Sequence, residues 1–446
     1  MTIPTLLLTP RRPALLAGHD NGLDVLVRVQ APEAPAGMPP RHALHLALVI
    51  DRSGSMAGEP LEHAKRCAEF MLDGLQHSDR LSVVAFDNQV ATLAPAARLG
   101  DKTQVRCAIR AIVSGGNTDL HRGWLQGAET LAPHTRADVI SRVVLLSDGN
   151  ANSGLTDGKQ IAGQCAELAR TGVTTSTYGL GRGFNEELMI DMARHGKGHS
   201  YYGSTASDLM DPFREEFALL NATCARNVRL ELVTAAGVSA TLLNDYVVAG
   251  ESAATPSSWW LPDLAYAGEA WAVLRLKIPR NCVDVAPAEP LLGVTVHYVG
   301  LDGEPRAIQG APLILPGLPV SAFQAIAEDE LVARRTGELE AAQLQQQARE
   351  HARRHEWQQV DAVLQRASRA AEHNPWVRES IAELRVLAER KDDMMFRKEA
   401  AFQSHRLQTR LAAHDEQADS HKDSIATSYL RRKTNQGKGD EQQPKT

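Results

Sequence analysis

The stretch Asp51-Arg52-Ser53-Gly54-Ser55 closes an apolar run of strand length, Leu44 to Ile50. A run so rich in Leu, Val and Ile suits a central parallel strand buried on both faces. One carboxylate and two hydroxyls therefore gather at the C-terminal end of a strand, where open α/β sheets bind ligands. These are hard oxygen donors, which select Mg²⁺, Mn²⁺ or Ca²⁺. Gly54 allows the tight turn that points Ser53 and Ser55 at one place. The plainer account is a polar loop capping the next helix, since Asp and Ser are common N-caps. Two later stretches weigh against it. Val143 to Ser147 is a second buried-strand run and ends in Asp148-Gly149. Gly115-Gly116-Asn117-Thr118-Asp119-Leu120 is a glycine-rich loop that presents a Thr hydroxyl ahead of a helical pattern.

Together, Asp51, Ser53, Ser55, Thr118 and Asp148 resemble the metal-ion-dependent adhesion site of von Willebrand factor A domains. All five positions carry the family's usual residue types in the family's order, and the resemblance covers residues 42–222. It implies an α/β fold with a doubly wound, mostly parallel, Rossmann-like sheet. It also implies Mg²⁺ (or Mn²⁺ or Ca²⁺) ligated by Ser53, Ser55 and Thr118, with Asp51 and Asp148 acting directly or through water. In the family, an Asp or Glu from a protein partner fills the ion's open position. Arg52 and Met56 are expected at the rim, as contact surface rather than ligands.

A Mg²⁺ at a sheet end also serves phosphoryl transfer, so a metal-dependent phosphoesterase is the enzymatic alternative. Haloacid dehalogenase-type phosphatases place a second Asp two residues after the nucleophilic one, and here that position is Ser53. There is no Gly-x-x-x-x-Gly-Lys-Ser/Thr loop, and no base clusters with a nucleophile. The reading is a non-enzymatic interaction module or scaffold. Its family alternative is an adaptor for an AAA-type ATPase or for a kinase and phosphatase signalling system.

The elements that position these residues alternate between strand and helix, as in a parallel sheet covered on both faces. Helices are expected at 59–77, 103–113, 120–132, 157–171, 185–195 and 206–222, and strands at 80–86, 142–147, 173–178 and 199–202. Gly179-Leu180-Gly181-Arg182-Gly183 misses the Gly-x-Gly-x-x-Gly spacing and reads as a strand-to-helix loop. Residues 226–316 change to short alternating strands around Val228–Val233, Ala270–Ile278 and Leu292–Tyr298, which predicts a β-sandwich. The alternating segment 22–31, in the N-terminal region 1–41, is expected to join that sandwich. Residues 42–222 would then be an insertion in it. Trp259, Trp260 and Trp271 could form a binding patch, but at least Trp271 is expected in the sandwich core instead.

From 321 to 413 the pattern is helical, with helices at 321–335, 338–354, 356–372 and 376–412 and a break at Asn374-Pro375. His351 and His355 lie four apart and could share a metal on one helix face, but the Glu of a His-Glu-x-x-His motif is missing, so they read as a solvated face. Residues 414–446 are polar and expected to be disordered.

The chain has 446 residues, a length for two or three domains. Its net charge of −6 gives no reason to expect nucleic acid. The five cysteines are widely spaced and form no Cys-x-x-Cys pair, which suits free thiols in a reducing compartment. Cys67, Cys107 and Cys165 are expected as small core residues. No stretch approaches the roughly 18 apolar residues of a membrane helix. No secretory signal pattern is visible at the start, so a bacterial, cytoplasmic protein without membrane insertion is expected.

Overall fold

The computed structural model describes residues 3–36, 41–180, 184–203, 206–250, 257–283, 290–372, 374–409 and 412–413. The expected disordered tail, 414–446, lies outside them, as does the Gly181-Arg182-Gly183 part of the glycine-rich loop. The chain divides into two compact units. One comprises Pro35–Cys224 with Val299–Pro305, and the other Met1–Ala34, Ala225–Tyr298 and Arg306–Thr446.

The Pro35–Cys224 unit is built on the strand Ala43–Asp51, whose residues after Ala43 are all buried. It pairs in parallel with Arg80–Phe86 on one side and Val139–Ser147 on the other. Val173–Leu180 and Lys197–Gly203 continue the parallel array. A sixth strand, Val90–Arg98, closes the other edge antiparallel to Arg80–Phe86. It was absent from the sequence reading for a physical reason. It is alanine-rich and irregular in register, and it contains Pro95, which only an edge strand or a bulge tolerates.

Side chains alternate across the sheet. Leu44, Leu46, Leu48 and Ile50 join a core with Leu61, Ala64, Ala68, Met71 and Leu72 of the helix Glu59–Gly74. Ala47 and Val49 face the opposite helix, Leu120–Leu131, which lies close because of two glycines. A Cβ on Gly127 would overlap Val49, and one on Gly123 would overlap Phe86. This close seat fixes the helix whose N-terminus carries Thr118. Gly127→Ala gains up to ~1 kcal/mol of helix propensity, but overpacking a fitted core costs about 1–3 kcal/mol. The overlap is with a Val on the central strand, so overpacking wins and the urea midpoint is expected to fall. A rise would show that the helix lifts off the sheet at no cost.

The other unit contains two five-stranded sheets. Asn21–Gln30 pairs antiparallel with Gly268–Ile278 over ten residues, and Thr5–Pro10 pairs on its far side. The second sheet is ordered Ser258–Trp260, Thr223–Thr234, Leu292–Val299 and Pro305–Gln309. Trp271 is fully buried, but against a helix. It packs with Leu26 and Val273 of its own sheet and with Leu331, Val332 and Leu339, and the buried Arg335 stacks over its ring. Trp259 is also buried.

The helical region departs from the expected boundaries. One continuous helix, Glu330–Arg353, replaces the expected pair 321–335 and 338–354, preceded by the short turn Val320–Gln324. Gly337 does not break it; a Cβ there would overlap the carbonyl oxygen of Ala370 in the next helix. The expected helix 376–412 is two, Pro375–Glu389 and Asp393–Thr409. The break falls at Lys391, whose φ is +52°, and Asp392 accepts the backbone N–H of Met395. His355 lies past the end of its helix at φ +57°, and His351 bonds Glu356, so the two do not share a helix face. No helix among the described residues is long and apolar enough to cross a membrane. Cys67 and Cys165 are buried as expected, whereas Cys107 is exposed because its helix turns Ile109 inward.

Candidate metal centre

The parallel strands Ala43–Asp51 and Val139–Ser147 run side by side, so Asp51 and Asp148 arrive at the same edge of the sheet. Asp51 is fully buried. Its Oδ1 accepts the backbone N–H of Ser53 at 2.8 Å, and its Oδ2 accepts the hydroxyl of Ser147 at 2.6 Å. Ser147 Oγ in turn accepts the N–H of Gly149 at 2.8 Å. Gly149 sits at φ +67° and lies tight against Asn185 and Met189, so this turn suits glycine. The carboxylate of Asp148 is nearly buried, and its Oδ1 accepts the N–H of Asn150 at 3.2 Å.

The Thr118 loop is bound to the Asp51 loop through the backbone. Gly115 N–H donates to the Arg52 carbonyl at 2.7 Å, and Gly54 N–H to the Gly116 carbonyl at 3.0 Å. Asp119 caps the following helix by accepting the N–H of Arg122. Asn152 accepts the N–H of Thr118 at 2.8 Å, and the Thr118 carbonyl accepts the N–H groups of Asn152 and Ser153. Both loops are therefore held by backbone bonds, which leaves the hydroxyls available. Ser53 Oγ and Ser55 Oγ lie 3.1 Å apart. Thr118 Oγ1 is buried and has no hydrogen-bond partner.

The electrostatics have one sign. Neither Asp51 nor Asp148 has a basic partner among the described residues, because Arg52 turns to Asp87, 3.3 Å away. Burial above all, helped by the nearby charge of Asp148, pushes the Asp51 carboxyl up to about 6 against the bonds from Ser147 and Ser53 that hold it down. An unpartnered buried hydroxyl is a standing cost, and so are two buried carboxylates with no basic side chain paired to them. A hard divalent ion removes both, and two carboxylates with three hydroxyls are the donor chemistry it prefers. The donor set fits.

The expected donors converge on this edge, but Met56 does not belong to the rim. It is fully buried in the sheet core, because the single turn Gly54–Met56 directs it inward. Ser55, Gly116, Asn117 and Asn150 form the exposed rim instead. Ser147 and Asn152 are not among the residues expected at the site. Ser147 had a signal, since it is a polar residue closing an apolar run beside Asp148. Asn152 had none, being one polar residue in a polar loop.

Residues 45–215 match the family model of the von Willebrand factor type A domain. An uncharacterised protein of Synechocystis is 30% identical over 196 residues, which are 43% of this chain and 45% of that one. Human inter-alpha-trypsin inhibitor heavy chain H3 is 29% identical over 198 residues, 42% of this chain and 22% of that one. The chain thus spans less than half the length of these curated relatives. Among solved structures, a von Willebrand factor type A protein from Catenulispora acidiphila aligns with a TM-score of 0.68 at 17% identity, covering 90% of this chain and 97% of that one. The ArnB paralog VWA2 from Sulfolobus acidocaldarius aligns at 0.58 and 18% identity, covering 90% and 99%. At such identity these two similarities show the fold.

Proposed function

We propose that this chain, whose residues 45–215 form a von Willebrand factor type A domain, is a metal-dependent protein-interaction module or scaffold. Ser53, Ser55 and Thr118 would hold a divalent cation, with Mg²⁺ the favoured ion, and Asp51 and Asp148 would act directly or through water. When bound, the ion supplies Lewis acidity towards one incoming ligand, and a carboxylate of a partner protein's Asp or Glu is that ligand. The observation that carries the reading is the buried, unpartnered hydroxyl of Thr118, on a loop bonded to the one that follows Asp51, while neither Asp51 nor Asp148 has a basic side-chain partner among the described residues.

The chain's own residues set the selectivity. Ser147 and the Ser53 N–H orient the Asp51 carboxylate, and Asn152 holds the Thr118 backbone. Only two of the five candidate donors are carboxylates, so a divalent ion held by them would keep charge for a third. A partner lacking that carboxylate leaves the ion to water, and this difference is the basis of specificity. A charge-assisted contact is worth roughly 1.5–3 kcal/mol, so the ion tunes an interface that other surfaces complete. The reading involves no turnover of substrate.

Affinity capture from native lysate tests it. Capture of a partner is expected with Mg²⁺, with at least a tenfold drop in chelator and a similar drop with Thr118→Val. Capture indifferent to both would move binding to the sandwich or the helices. Phosphoester hydrolysis lost with Asp51→Ala would replace the reading with an enzymatic one.

A further inference from the structure

The opposite edge of the same sheet carries the reverse charge. His45, Arg80 and Arg98 sit on three adjacent strands as direct register partners, His45 to Arg80 and Arg80 to Arg98. The antiparallel partners Arg80 and Arg98 have Cβ atoms about 5 Å apart, and like charges placed so repel one another. No carboxylate offsets them. Arg80 has one hydrogen bond, to the Ala96 carbonyl at 3.2 Å, and among the described residues neither Arg80 nor Arg98 has an acidic partner.

These three residues line an open cavity of about 490 Å³ together with His77, His134 and Arg136. Arg136 is the one cation there already matched, its guanidinium donating to both oxygens of Asp138 at 3.0 and 2.7 Å. His45 is 6% exposed, and its Nδ1 has no hydrogen-bond partner. His134 meets it edge-on, with ring centroids 6.3 Å apart. Arg98 and His77 are exposed, while His45 is buried.

The geometry points to a second binding site, at the edge of the sheet opposite the metal centre, for a phosphate group carried by a small molecule. Guanidinium groups offer paired N–H donors that match phosphate oxygens, and the cavity has the size of a small-ligand pocket. A monoester suits it better than free phosphate, because the space exceeds what the anion alone would fill. Electrostatics agree with the geometry. Burial above all, with the charges of Arg80, His134 and Arg136, lowers the His45 pKa to about 4 against one backbone hydrogen bond that raises it. The pocket thus repels its own protonated histidine, which an anion would relieve. The sign for stability follows. Unfolded His45 binds a proton near pH 6.5 and the folded residue only near 4, so stability falls as pH drops through that window. Bound phosphate should reduce that loss.

The test uses the full chain, with calorimetric titration of inorganic phosphate, glycerol phosphate and, as a counter-probe, single-stranded RNA. Histidine-selective NMR follows His45 in parallel. Saturable binding of glycerol phosphate is expected, with free phosphate weaker. Arg80→Gln and Arg98→Gln should each weaken it at least tenfold, and the His45 pKa should rise on saturation. Thr118→Val should leave this binding unchanged, which separates the site from the metal centre. No saturable binding, equal binding by the arginine variants, an unmoved His45 or binding of RNA alone would each overturn the proposal.

Discussion

Glu216→Gln is expected to destabilise the Pro35–Cys224 unit by about 3–5 kcal/mol, the usual cost of removing one partner of a buried ion pair. Glu216 is fully buried on the helix Ala206–Ala222. Its Oε1 accepts from the buried Arg142 guanidinium and from Ser176 Oγ at 2.8 Å. Its Oε2 accepts from Tyr201 at 3.0 Å and has His199 Nδ1 at 2.9 Å. One carboxylate thus ties the helix to three strands, Val139–Ser147, Val173–Leu180 and Lys197–Gly203. The amide keeps the shape but leaves the Arg142 charge without its counterion. Arg142→Met with Glu216→Leu removes both charges, and such replacements are often neutral or stabilising. Urea unfolding should therefore show a large loss for the single variant and recovery in the double variant. Equal stability of the single variant and wild type would mean that the network adds nothing.

This network was invisible in sequence, because nothing local links Glu216 to Arg142, 74 residues away. The central sheet was legible for the opposite reason. Strands buried on both faces need long apolar runs, and Leu46–Ile50 and Val143–Leu146 are such runs. Of the proposed metal donors, Asp51, Ser53, Ser55 and Asp148 stand out in sequence because they sit where those runs stop, and Thr118 because it follows two glycines. The strand 21–30 was legible from its alternation, and its pairing with Gly268–Ile278 gives that alternation a sheet to face. Val90–Arg98 was not, since an edge strand makes weak demands on its residues. The expected gap between helices 321–335 and 338–354 is not one, and Gly337 within it is a point of close helix contact. Met56 reads as rim because it follows the serines, and one helical turn sends it inward. The row His45, Arg80 and Arg98 exists only once strand register is known.

The second large effect concerns the metal. Thr118→Val removes one neutral donor and keeps the side chain's volume, so a tenfold or greater loss of divalent affinity is expected, at least ~1.4 kcal/mol. Asp148→Asn removes a charge from a nearly buried position and should cost at least as much. The loops are held by backbone hydrogen bonds, Gly115 to Arg52 and Gly54 to Gly116, so neither substitution should unfold the site. Calorimetric titration of the metal-free chain with Mg²⁺ and Mn²⁺, on wild type and both variants, measures this directly. One ion bound by the wild type, with at least tenfold weaker binding in each variant, is the predicted result. A wild type that takes up no divalent ion, or variants that bind as the wild type does, would contradict it.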